Sequence, residues 1–165
     1  MTPGALILVV ALEDLPVGST FKRTRQDWPL HVTLLNWFTV ASAQHTIAAL
    51  TQSLMAMEPF TIHVDRDAFF GPNNDVPVSL FTDESELKAL HTQILATVQE
   101  NGGKLAQETV WIGDEYTPHT THHGDKRARP GDDFIVSRVC VVTVHDDDQC
   151  EVTRYIPLLG EDSWQ

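Results

Sequence analysis

Two rhythms of apolar and polar positions organise the chain. Residues 6–12 and 32–38 are apolar, β-branched or aromatic runs bounded by Pro and Gly, which predicts buried strands. Residues 41–57 instead place Ile47, Leu50, Leu54 and Met55 at helical intervals, the pattern of an amphipathic helix. Residues 60–64 and 76–81 read as strands around the turn Gly71-Pro72-Asn73-Asn74, so the pair resembles a hairpin. Asp83, with Glu86 three residues on, is a capping-box start for a helix carrying Leu87, Leu90, Ile94 and Val98 and stopped by Gly102-Gly103. Further strands are predicted over residues 110–112, 118–123, 134–145 and 150–158. Strands outnumber helices too heavily for a doubly wound parallel sheet. The expected fold is therefore α+β, with antiparallel sheets and helices outside, in a single domain over residues 1–165.

Composition narrows the function. A 165-residue chain with 42% hydrophobic content can bury one sizeable core. The run ALILVVAL is short, lacks a basic flank and meets Glu13-Asp14 directly, so it fits neither a signal peptide nor a membrane span. A net charge of −12 argues against capture of long nucleic acid, which depends on neutralising many phosphates. A small phosphate ester is still compatible. Six of the eleven basic residues fall in two clusters: Lys22, Arg23 and Arg25, then Lys126, Arg127 and Arg129. If the C-terminal hairpin turns at Asp146-Asp147-Asp148, Cys140 faces about Arg154 and Cys150 about Val144. The two thiols are then unpaired, as in a reducing cytoplasm.

Chemistry concentrates in two places. WPLHVTLLNWF contains His31-Val32-Thr33, and YTPHTTHH contains His119-Thr120-Thr121, each on a predicted strand with a Pro one or two residues before the His. Alternation on a strand puts His31 and Thr33 on one face, and His119, Thr121 and His123 on another. An imidazole can exchange a proton near neutral pH and a hydroxyl beside it can donate to a phosphate oxygen. Two such strands facing across a groove supply an acid, a base and two phosphate clamps.

This pair of motifs resembles the HxT signatures of the 2H phosphoesterase superfamily, which holds 2′-5′ RNA ligases and cyclic nucleotide phosphodiesterases. The order of elements agrees along nearly the whole chain. The resemblance implies two pseudosymmetric lobes of antiparallel sheet around a central groove. It also implies catalytic histidines at His31 and His119, and phosphate-binding hydroxyls at Thr33 and Thr121. Tyr116 and Pro118 match the aromatic-x-Pro-His lead-in of the second motif. The chain departs from the pattern after Thr121, where His122 stands in place of an apolar residue.

The expected activity is a metal-independent opening of a 2′,3′-cyclic phosphate or cleavage of a 2′-5′ linkage, with no cofactor. The expected partner is a mononucleotide or short oligonucleotide end, with no membrane and no second subunit. Tyr116 is a candidate stacking face, and Arg23 or Arg25 a candidate second phosphate contact. His122 and His123 read as neighbours of the site in a loop, and His63, His91 and His145 as surface or internally satisfied residues. Two alternatives stay open. One is a metal-dependent hydrolase using His119, His122, His123 and Asp125, although adjacent strand residues point oppositely. The other is a nucleotide-binding module without turnover.

Overall fold

The computed structural model describes residues 4–24, 27–106, 112–123 and 125–159. Strands β1 (Gly4–Ala11), β2 (Thr20–Lys22) and β3 (His31–Val40) precede helix α1 (Ala43–Leu54). The hairpin β4 (Phe60–Phe70) and β5 (Val76–Phe81) leads to helix α2 (Ser85–Glu100) and strand β6 (Lys104–Leu105). A 3₁₀ turn at Gly113–Glu115 then introduces β7 (His119–Thr121), β8 (Asp133–Val136), β9 (Arg138–Val144) and β10 (Gln149–Pro157). The architecture is α+β, with two helices against one open sheet of ten strands among the described residues. Along the sheet the order is β2-β10-β9-β1-β3-β7-β5-β4-β8, with β6 also on β3. Every pairing between these strands is antiparallel.

The first strand is apolar at every position because it is buried on both faces. Leu6, Leu8 and Val10 join the larger core under the helices, while Ile7 and Val9 join a smaller cluster with Phe21, Cys140, Val142, Cys150 and Val152. Strand β3 obeys the same geometry with a different outcome: Val32 and Leu34 face the larger core and are fully buried, whereas His31 and Thr33 lie on the other side, partly exposed. In α1, Ser42 caps the helix by accepting from the His45 N–H at 3.2 Å, and Leu50 and Leu54 are fully buried. Met55, read as part of the apolar stripe, is 55% exposed just past the helix end.

The stripe of α2 is as predicted: Leu87, Leu90, Ile94 and Val98 are all fully buried. Its start differs from the capping box. Glu84 occupies the N-cap without a side-chain cap bond, and the Asp83 carboxylate accepts instead from the Ser85 N–H at 3.0 Å. Its end is set by glycine, since a Cβ at Gly103 would lie 2.3 Å from Val98 Cγ1 and Gly102 has φ of +77°.

Three strand expectations need correction. The run 134–145 is two strands broken at Ser137: β8 pairs with β4 and β9 with β1 and β10, at different places in the sheet. Apolar residues flank the break on both sides, and the short polar step Ser137-Arg138 between them does not register the change of partner. Strand β4 runs six residues beyond the predicted end, because its exposed half, from Asp65 to Phe70, is held by pairing to β5 rather than by burial. The predicted strand at 110–112 falls mostly outside the described residues; Ile112 itself is not in a strand. In the C-terminal hairpin Cys150 does face Val144, but Cys140 faces Tyr155, because a bulge between Val152 and Arg154 shifts the register by one. Both cysteines are free and buried. Among the described residues no helix is long and apolar enough to cross a membrane.

Candidate active site

The two motif strands are not opposed across a gap; they are neighbours. β3 pairs antiparallel with β7 through Val32 opposite Thr120, the middle residue of each motif, and both of these side chains are fully buried. Antiparallel register then sets His31 beside Thr121 and Thr33 beside His119, all four on the face away from the larger core. In such a lattice diagonal neighbours stand about 7–8 Å apart. The two histidines occupy one diagonal and the two threonines the other.

This pairing is also where the sheet changes hands, with β1, β9, β10 and β2 on one side and β5, β4 and β8 on the other. The two sides are not successive halves of the chain. The C-terminal strands β9 and β10 return to the side of β1, so the second motif sits at the seam and not at the middle of a C-terminal lobe.

Each catalytic candidate is oriented by the same local device. His31 Nδ1 lies 2.7 Å from the Pro29 carbonyl oxygen, and His119 Nδ1 lies 2.9 Å from that of Thr117. A carbonyl only accepts, so Nδ1 carries the proton in both rings and Nε2 carries the lone pair. Burial pushes the His31 imidazole down to about 4; repulsion from His123 and His119 acts in the same direction, against the Pro29 carbonyl and the Glu13 carboxylate. His119 is also lowered, chiefly by burial. The His31 ring lies between Trp28, 4.3 Å away, and His123, 5.9 Å away and stacked at 20°. Phe70 meets His119 edge-on at 4.8 Å.

His31, Thr33, Thr121 and His123 line an open groove of about 250 Å³, together with Trp28, Asn36 and Arg23. Arg23, a candidate phosphate contact in the sequence, has its guanidinium 4.3 Å over the Trp37 ring and Nε 3.4 Å from the Asp148 carboxylate. Arg25 lies outside the described residues. The other basic cluster is turned to carboxylates: Lys126 pairs with Glu13 at 3.2 Å and Arg127 with Asp67 at 2.5 Å.

Tyr116 is not a stacking face for a ligand. It is 5% exposed, its ring stacks on His91 at 4.0 Å and 9°, and its hydroxyl donates to the Thr33 carbonyl oxygen at 2.8 Å. It ties the lead-in of the second motif to the backbone of the first. His91 completes the tie: Nδ1 donates to the Leu34 carbonyl at 2.6 Å and Nε2 accepts from the Gly113 N–H at 3.0 Å.

His122 and His123 are buried and point apart, as adjacent strand residues do. His122 Nε2 meets Ser79 Oγ at 2.8 Å, away from the groove, while His123 lines it. Both follow the end of β7, as expected of loop residues, but they are buried rather than exposed. Among the described residues no three His, Cys, Asp or Glu side chains converge as a ligand set, so His119, His122, His123 and Asp125 do not gather around one point. His63 and His145 pair with Asp133 and Glu151 at the surface. Sequence reasoning set His123 beside His119 and Thr121 but read it only as a neighbour of the site, and it missed Trp28 and Asn36, for which the sequence carried no signal.

The family model described as the 2′-5′ RNA ligase superfamily matches residues 9–139. Curated proteins returned no match. Among solved structures, TT0787 of Thermus thermophilus aligns with a TM-score of 0.58 at 21% identity, covering 95% of this chain and 99% of that one. Escherichia coli LigT complexed with NADP+ aligns with a TM-score of 0.58 at 14% identity, covering 96% and 99%. The LigT complex with 3′-AMP aligns with a TM-score of 0.54 at 16% identity, covering 97% and 100%. At these identities the likeness is one of fold.

Proposed function

The chain belongs to the 2′-5′ RNA ligase superfamily, and from that premise we propose that it is a metal-independent phosphoesterase acting on a 2′,3′-cyclic phosphate or a 2′-5′ linkage in a mononucleotide or short oligonucleotide. The observation that carries this reading is the pairing of Val32 with Thr120, which brings both His-x-Thr motifs onto one face as a single four-residue cluster. The net charge of −12 and the small groove favour a short ligand over a long strand. The 3′-AMP and NADP+ in the LigT complexes support a nucleotide as the ligand class.

In hydrolysis of a cyclic phosphate, the substrate's non-bridging oxygens take hydrogen bonds from the Thr33 and Thr121 hydroxyls, which strengthen as charge grows on those oxygens. His31, held neutral with its Nε2 lone pair available, takes a proton from water as the water oxygen bonds to phosphorus. His119, protonated in the anionic complex, gives its proton to the ribose oxygen as the phosphorus–oxygen bond breaks. Ring opening leaves a phosphomonoester, and the proton taken by His31 returns to solvent as His119 is recharged. In the ligation direction the two roles exchange.

The test is a panel of 2′,3′-cyclic mononucleotides and 2′-5′ linked dinucleotides assayed in excess chelator. Turnover undiminished by the chelator, with a bell-shaped pH profile, is expected. A strict requirement for added zinc or manganese, or preference for long duplex RNA, contradicts the reading.

A further inference from the structure

The groove contains a histidine that the two-motif chemistry leaves without a role. His123 lies two residues past Thr121, beyond the end of β7, and lines the same groove as Thr121. Its backbone is clamped to Lys126 in both directions, N–H to carbonyl at 2.8 Å and 3.1 Å, which holds the residue at the groove wall. It is 7% exposed, yet it lines the same space as His31, Thr33 and Thr121, with its ring stacked towards His31.

The charges around it give the position meaning. On the β3 side stand His31 and, from the preceding loop, Glu13, whose carboxylate accepts from the Leu30 N–H at 2.6 Å and pairs with Lys126. On the β7 side stand His119 and His122, and beyond His122 the pair Arg127–Asp67. Lys126 and Arg127 are thus paired to carboxylates, as is Arg23 across the groove through Asp148. An anion held by Thr33 and Thr121 meets, on its β7 flank, an imidazole that is able to gain a proton.

We propose that His123 is a third phosphate-contacting residue, which pairs in its protonated form with the phosphate held by Thr33 and Thr121, so that ligand binding takes up a proton. The inference rests on the phosphoesterase reading above. It favours ligands with a terminal phosphomonoester, whose dianion gains most from a cationic partner.

The experiment titrates inorganic phosphate into the full chain near pH 7, following the imidazole NMR signals, with calorimetry in two buffers of different ionisation enthalpy. The signals of His31, His119 and His123 should move together with one dissociation constant, and the calorimetry should report proton uptake. His123→Phe, which keeps a ring of similar shape, should weaken phosphate about tenfold and reduce the uptake. His123→Gln, which keeps polarity without charge, should also reduce the uptake, and it serves if the Phe variant does not fold. If His31 and His119 respond while His123 does not, and both variants bind phosphate as the parent does, this proposal is overturned and the two-motif site stands. If none of the three histidines responds, the proposal falls together with the reading beneath it. A residue that merely filled space would change unfolding without changing proton uptake.

Discussion

Each motif histidine gives its Nδ1 proton to a carbonyl two residues earlier, Pro29 for His31 and Thr117 for His119. The lone pair therefore sits on the same nitrogen in both, which is what a symmetrical exchange of acid and base roles needs. Alternation along the strands made the His and Thr sides legible in the sequence. The tie from Tyr116 to Thr33 was not, because an aromatic lead-in gives no hint of whether its ring faces a ligand or, as here, another buried ring at His91. Burial of these imidazoles has a thermodynamic cost that pH exposes. His31, His91, His119 and His122 are all held below the ordinary histidine value, each chiefly by burial. The unfolded chain, with imidazoles near about 6.5, then binds more protons than the native one as pH falls below that value, so this contribution to stability is full above it and is lost on acidification. For His31 the window runs from about 6.5 down to about 4. Urea unfolding between pH 7.5 and pH 4.5 should show a smaller decline for His31→Gln than for the parent. Equal declines contradict the assigned cause.

At the scale of elements, the middle residues of the motifs matter as much as the outer ones. Val32 and Thr120 are buried back to back with the His31, Thr33, His119 and Thr121 side chains and set the register that brings those side chains together. Thr120 is fully buried and its hydroxyl has no hydrogen-bond partner among the described residues. A buried hydroxyl without a partner is unfavourable. Thr120→Val keeps the shape and removes that group, so it should raise stability by about 1 kcal/mol and leave kcat/KM within twofold. A loss of stability in denaturant unfolding would show that the hydroxyl is satisfied. Helix α2 was readable from its complete apolar stripe, and the hairpin β4–β5 from the turn at residues 71–74 and the apolar runs on either side, though not to its full length. The break between β8 and β9 was not, since its polar step, Ser137-Arg138, is only two residues long and apolar residues resume at Val139, while the partner strand changes from β4 to β1 and β10.

For the whole molecule, the sheet order explains why one sequence repeat becomes one site. Among the described residues, six strands on the β1 side, counting β6, and four on the β5 side meet only where β3 pairs with β7, and that contact lies at the two motifs. The α+β class and the placement of both motifs on strands could be read in advance. That the strands are neighbours and not opposing walls could not, because register between segments far apart in sequence leaves no local pattern. The central claim is that His31 and His119 work as one unit. It is tested most directly by a double-mutant cycle on hydrolysis of a 2′,3′-cyclic mononucleotide in chelator, comparing the parent with His31→Ala, His119→Ala and the double variant. Each single replacement should lower kcat/KM by about 10² to 10⁴-fold, and the double should fall no more than about tenfold below the worse single, because groups acting together are non-additive. If either single variant keeps the parent's rate, or the double loses the full product of the two, the account of a shared acid–base site is contradicted.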